Sequence, residues 1–434
     1  MTTQPRWTRG RLCAAAVAVL LTGTGALAQA APAAVEEGAA TPLEALIGGA
    51  LLLNLRPRFE NVAQDGKPEH AEAFTLRTLL GWRTKPWQGL SLTVEGIDVR
   101  HLGEQDFATT RSDPRFAHYP IVADPDDTDV NQLYLDYTGL PDTRLRVGRQ
   151  SIKLDNVRFV GNVEFRQVMQ VFNAAMVENT TLPNTQVVAG YLWRQKNILG
   201  DQHDLDMPLL NVRYTWRTGN DLTAYAYLQD QDNTGQALRH TTATPAFTDN
   251  SNRILGARAN GGYPLRDSLK LLYTVEYAKQ DDYSGGDGRI DAHYLHLGAG
   301  PQVRDWFLRL DYELLSSNDG RYGFQTPLGT NHLFQGWADQ FLTTPAQGMR
   351  DLHVVLGGKF GRVGVYAELH EFKSDRGSID FGHEFDLGVT VPLLKGLTGK
   401  LEYADYRAGD VVGGDLLANK VDVRKFWLTL IYQF

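Results

Sequence analysis

The chain has 434 residues and a single cysteine, Cys13. An intrachain disulfide is therefore excluded, as is a metal site built on several thiolates. After the first thirty positions no apolar run approaches the ~20 residues that a membrane-spanning helix needs, which excludes helical spanning. A basic excess is also missing: 43 Lys and Arg stand against 51 Asp and Glu. That balance argues against nucleic acid as a partner. The sequence contains no HExxH, no GxSxG, no nucleotide-binding glycine loop and no Cys/His metal spacing. It thus gives no support to an enzyme and names no catalytic residue, cofactor or metal ligand. His101, His118, His240 and His332 fall in or near loops, where scattered histidines are ordinarily just polar loop residues.

What is present begins with a leader. Arg6, Arg9 and Arg11 form a basic stretch, residues 12–21 an apolar one, and small residues offer cleavage after Ala28 or Ala30. This is the pattern of a secretory signal over residues 1–30. Cys13 stands at the start of the apolar stretch, not at its end, and would leave with the leader. Removing the three leader arginines from the 43 basic residues leaves 40 against 51 acids, a formal charge of −11. Residues 31–48 read as a flexible lead-in, and residues 49–434 as one domain.

That domain alternates. In residues 425–434, Phe426, Leu428, Leu430, Tyr432 and Phe434 share one face, and Lys425, Trp427, Thr429, Ile431 and Gln433 share the other. This is the period of a strand with one apolar side. The pattern recurs from about residue 49, where Leu51, Leu53 and Leu55 oppose Asn54, Arg56 and Arg58, and again across residues 208–217 and 305–316. About 18 such segments of roughly ten residues are found, the length of a tilted membrane strand. Short connections such as 85–89, 139–142, 218–221, 264–268 and 392–396 alternate with long polar ones at 61–72, 103–128, 231–250, 317–349 and 408–419. A secreted β-sandwich or propeller has no reason to sort its loops in this way. The expected fold is all-β, a transmembrane antiparallel β-barrel with short periplasmic turns and long extracellular loops. Its address would be the outer membrane of a Gram-negative cell, in contact with lipid and lipopolysaccharide.

With one face given to lipid, chemistry has to be sought on the other face and in the loops. The inward series carries Arg56, Arg58, Arg77, Arg146, Arg213, Arg258, Arg309 and Lys400, together with Glu60, Glu95, Asp136, Glu276, Asp311, Glu313, Glu368 and Glu402. Charges of both signs can pair across strands and hold the barrel's shape. Alternatively, the arginines concentrated on the early strands make one wall attractive to anions, because a guanidinium stays charged and grips carboxylates in bidentate fashion. In the longest loop, Phe334, Trp337, Phe341 and Leu342 stand at the spacing of one apolar helix face. Folded inward, such a helix would constrict the lumen and present Asp339 to it; folded outward, it would cap the rim. The acidic run 124–129 lacks the glycine and the terminal acid of a helix–loop–helix calcium site. It reads as a solvated loop touching divalent cations among lipopolysaccharide.

Three segments, 131–137 (NQLYLDY), 147–167 with its GRQ and RFVGN elements, and 334–351 (FQGWADQFLTTPAQGMRD), give the chain a resemblance to the alginate-export outer-membrane porins. The resemblance implies a monomeric barrel that passes an anionic polysaccharide through an arginine-lined lumen, with periplasmic export machinery as a partner. By position it also implies that Arg146, Arg149, Arg158 and Arg166 supply cations near the mouth or constriction. The inward acids depart from a pore specialised for polyuronate, which would be more one-sidedly basic. An uptake porin for small organic acids or oligosaccharides, and a structural or adhesive barrel with a closed lumen, are the competing expectations.

Overall fold

The computed structural model describes residues 38–110, 113–231, 249–409 and 421–434. The leader with its two cleavage sites, and His240, lie outside them. Within the segment read as a lead-in, Pro42–Ile47 form a short helix, α1, capped by the Thr41 hydroxyl accepting from the Glu44 N–H.

Eighteen strands follow. The first nine are β1 (Ala50–Gln64), β2 (Ala71–Arg83), β3 (Leu90–His101), β4 (Asp127–Leu140), β5 (Thr143–Gln150), β6 (Val171–Asn179), β7 (Thr185–Lys196), β8 (Gln202–Arg217) and β9 (Asn220–Gln231). The second nine are β10 (Asn252–Arg266), β11 (Leu269–Asp282), β12 (Asp291–Val303), β13 (Trp306–Leu315), β14 (Met349–Phe360), β15 (Val363–Lys373), β16 (Asp380–Leu394), β17 (Leu397–Ala408) and β18 (Val423–Gln433). Each pairs antiparallel with its chain neighbours, and β18 pairs with β1, so the sheet closes into a barrel. Closure leaves no free sheet edge, which is what lets strands cross a bilayer.

The alternation sets the two faces. On β13, Trp306, Leu308 and Leu310 are exposed, while Arg309, Asp311 and Glu313 are buried. Exposed aromatic residues collect near the periplasmic turns (Trp216, Tyr263, Trp306, Phe360, Phe434) and again near the opposite strand ends (Phe74, Tyr191, Trp193, Tyr277). They bracket a band of leucine and valine, as the aromatic girdles of an outer-membrane barrel do. Beyond the upper girdle the faces exchange character. On β8, Leu205, Met207 and Leu209 are buried while Asp204 and Asp206 point out. The upper barrel stands in water and offers an apolar interior to whatever fills it. Among the described residues no helix is long and apolar enough to cross a membrane.

Candidate functional site

Two loops fill that interior. Loop 151–170 crosses the lumen. At one end the Arg56 guanidinium on β1 donates to Gln167 Oε1 (2.8 Å), to the Glu164 carbonyl (2.7 Å) and to the Arg166 carbonyl. At the other, Asp155 accepts from Asn211 on β8 (2.6 Å), and Phe159 packs on Tyr225, Tyr227 and Tyr294 of β9 and β12. β1 and β9–β12 lie about half a ring apart in the strand order, so the loop runs wall to wall.

Loop 316–348 lies against it. The Gly161 N–H donates to the Leu328 carbonyl, and the Thr330 N–H to the Val157 carbonyl (both 2.9 Å). The Phe165 and His332 rings stack at 3.4 Å, and Arg158 covers the Phe334 ring at 4.4 Å. The loop is folded inward, as one of the two expectations had it, but residues 334–342 are not a helix. Only Asn331–Leu333 make a 3-10 turn. Gln335, Gly336 and Asp339 adopt positive φ, which no right-handed helix accommodates. Barrel carboxylates satisfy the backbone instead: Trp337 N–H donates to Asp386 (3.2 Å) and Ala338 N–H to Glu384 (2.6 Å). Trp337 and Phe341 are buried, Phe341 against Phe372, Phe381 and Tyr406, whereas Leu342 is exposed. Asp339 is no free lumen charge. Its side chain is buried and pairs with Arg166 (2.8 Å), Lys425 (2.9 Å) and His332 (2.8 Å).

The ten arginines singled out from sequence divide by what they hold: Arg258 pairs with Glu276 (3.4 Å) and Arg309 with Asp311 (3.0 Å) within the wall. Arg56, Arg158 and Arg166 fasten loops to wall or to each other; Arg166 also reaches Glu60 (3.2 Å) and Arg158 reaches Glu313 (3.4 Å). Burial opposes the charge on Arg166, but the carboxylates of Glu60, Asp339 and Asp124 outweigh it and hold the group above its ordinary pKa. Arg213 pairs with Asp155 (3.2 Å). Arg146 and Arg144 both grip Asp136 within the wall, and Arg149 meets Asp129 (3.3 Å) and Asn173 (3.1 Å) toward the outer end of β5. Arg58 and Arg77 remain. Arg58 lies over the Phe165 ring at 4.4 Å and touches Thr429 (3.3 Å), and Arg77 donates to Asn54 (2.9 Å). Yet Arg58 Nη1 and Arg77 Nε and Nη1 have no hydrogen-bond acceptor. The structure thus brings Arg56, Arg58, Arg77 and Arg166 together, and leaves Arg146, Arg149 and Arg213 elsewhere on the wall.

The acidic run 124–129 is not solvated throughout. Asp124 is buried, accepts from the Gln167 N–H (2.8 Å) and faces Arg58 (3.8 Å) and Arg166 (3.9 Å). Asp127 and Asp129 both meet Lys196. Sequence reasoning passed over Glu384 and Asp386, although their alternation with Phe385 and Leu387 places them inward. It had no means of knowing that they would hold a loop.

The fold has close structural relatives with little sequence in common. Pseudomonas aeruginosa OccK9 (OpdG) superposes with a TM-score of 0.69 at 14% identity, over 90% of this chain and 99% of that one. Acinetobacter baumannii OccAB2 gives 0.67 at 12%, over 88% and 98%, and Pseudomonas aeruginosa OpdQ gives 0.66 at 13%, over 89% and 98%. A search of curated protein sequences finds no match. The profile of the family described as alginate export matches residues 56–318, a span that holds the first two resembling segments, while 334–351 lies beyond it. With well over half the chain matched and the sheet closed into an 18-stranded barrel, the protein belongs to the alginate-export family of outer-membrane barrels.

Proposed function

We propose that the protein is a passive outer-membrane channel for carboxylate-bearing saccharides, with export of an alginate-like polyuronate as its physiological form. The observation that carries this reading is the direct pairing of Arg56 with Arg77 across β1 and β2. Like charges opposite each other destabilise a sheet, and here a third guanidinium, Arg58, lies beside them. The loop takes up Arg56 but leaves donors on Arg58 and Arg77 without acceptors. Both side chains are buried in the wall, so a passing carboxylate would feel them through the field that the low-dielectric wall concentrates. The family's description supports export as the direction; synthesis and machinery on the inner side would supply the driving force.

Uptake of small organic acids or oligosaccharides is the second reading. It is favoured by the carboxylates that share the lumen wall and by two ordered loops lying across it. Both readings require an anion-preferring pore. Reversal potentials in planar bilayers under a salt gradient should show anion selectivity, reduced or inverted in Arg77→Glu and weakening with ionic strength as screening sets in. Oligouronides should block the current at concentrations where neutral oligosaccharides do not. Cation selectivity in the unmodified protein would overturn the proposal.

A further inference from the structure

A second cluster, away from the arginines, has donors of a different kind. Asp351 and His353 stand two residues apart on the inner face of β14, and His370 lies directly opposite His353 on β15. All three are buried. The Asp351 carboxylate is 3.3 Å from His353 Nδ1 and 3.0 Å from His370 Nδ1, and the three donor atoms lie within 4.8 Å of one another. Ligands held ~2.0–2.1 Å from a tetrahedral zinc stand about 3.3 Å apart, and both Asp351–imidazole spacings match such an edge.

Three further observations point to a ligand. His353 Nδ1 is buried, and apart from the Asp351 carboxylate at 3.3 Å it has no polar partner. The far nitrogen of His370 faces Glu368 Oε2 at 3.2 Å. If His370 Nδ1 takes a metal, Nε2 carries the proton and donates it to that carboxylate, the arrangement that fixes tautomer and ring orientation at histidine–metal sites. Charge is also short: Asp351, Glu368, Glu384 and Asp386 share this part of the wall with two imidazoles. Among the described residues, no lysine or arginine forms an ion pair with any of the four.

The geometry points to a divalent transition-metal site of the zinc class, held by His353 Nδ1, His370 Nδ1 and the Asp351 carboxylate. Two imidazole nitrogens exclude calcium and magnesium as the preferred occupants. The bound ion staples β14 to β15 where loop 316–348 docks, since Asp386 holds the Trp337 N–H and Phe372 carries Phe341.

The test uses the whole barrel refolded in detergent, stripped with chelator and dialysed against zinc, with the metal measured by plasma emission. About one zinc per chain is expected, with tetrahedral cobalt absorption on substitution, and neither in His353→Ala or His370→Ala. Glu368→Gln should keep the site with an affinity about 10–100-fold lower. Heat-modified gel mobility reports whether each variant is folded. Should His370→Ala not fold, His353→Ala decides, because among the polar contacts His353 meets only Asp351. Zinc content no higher than that of the histidine variants, or displacement by equimolar magnesium, overturns the assignment.

Discussion

A guanidinium in this lumen is defined by what it has left over. Arg56 and Arg166 look in sequence like selectivity residues, but in the structure they spend their donors on loop carbonyls and carboxylates. Alternation was enough to place Arg56 inside, and only the resemblance put Arg166 near the constriction; their partners come from segments roughly a hundred residues away, so their roles were not legible. The same locus is expected to respond to pH. Burial pulls the His332 imidazole below its ordinary value, despite its bond to Asp339. Burial opposes the charge of Asp339, yet Lys425, His332 and Arg166 hold its carboxyl well below the usual range. Both groups take up protons more readily once the loop is released. Docking is therefore at full strength above the free-imidazole value of about 6.5 and weakens as pH falls through it, with Asp339 adding its share below about pH 4. Single-channel conductance should be steady above about pH 7 and rise between about pH 6.5 and 5, and His332→Asn should remove that step. A flat profile in the unmodified channel would rule that response out.

Among the elements, the strands obeyed their sequence and the long inward loop did not. Strands follow period-2 alternation because lipid outside and charge inside reward each residue separately. The spacing of Phe334, Trp337 and Phe341 fits a helix equally well on local grounds. It failed because Glu384 and Asp386 capture the intervening N–H groups, a tertiary contact that requires left-handed turns at Gln335 and Gly336. Gly336 is the sensitive point: its φ is 83°, and a Cβ there would stand 2.3 Å from Glu384 Oε2. Gly336→Val should add about 1–3 kcal/mol of backbone strain to that clash and lift the loop from the wall. The expected result is a larger conductance in a barrel that still shows folded gel mobility. Unchanged conductance together with unchanged thermal stability would remove the loop from the constriction.

The whole molecule is stabilised from both sides of its sheet. Outside, Leu310 sits midway along β13, exposed beside Val354 on β14. Leu310→Arg should cost about 2–4 kcal/mol in lipid, as a charge at mid-bilayer does, without altering ion selectivity. Urea unfolding in vesicles, compared with reversal potentials of the surviving channels, would check both halves of that statement. Inside, the aromatic cluster around Phe159 and the ion pairs around Arg166 join loops to wall, so barrel and constriction form one body.

The closing strand shows where sequence ends and structure begins. Its alternation by itself determined that Phe426, Leu428 and Leu430 face lipid and that Lys425, Trp427 and Thr429 face the lumen. Repeated eighteen times with sorted loop lengths, that pattern determined the barrel and the membrane it serves, because two solvents at fixed spacing act on each residue locally. Only the tertiary structure decided that Lys425 meets Asp339, that Thr429 meets Arg58, and that Arg77 is left with donors unfilled. Those pairings depend on barrel closure and on two loops returning through the lumen. No periodicity encodes contacts between residues so far apart in the chain.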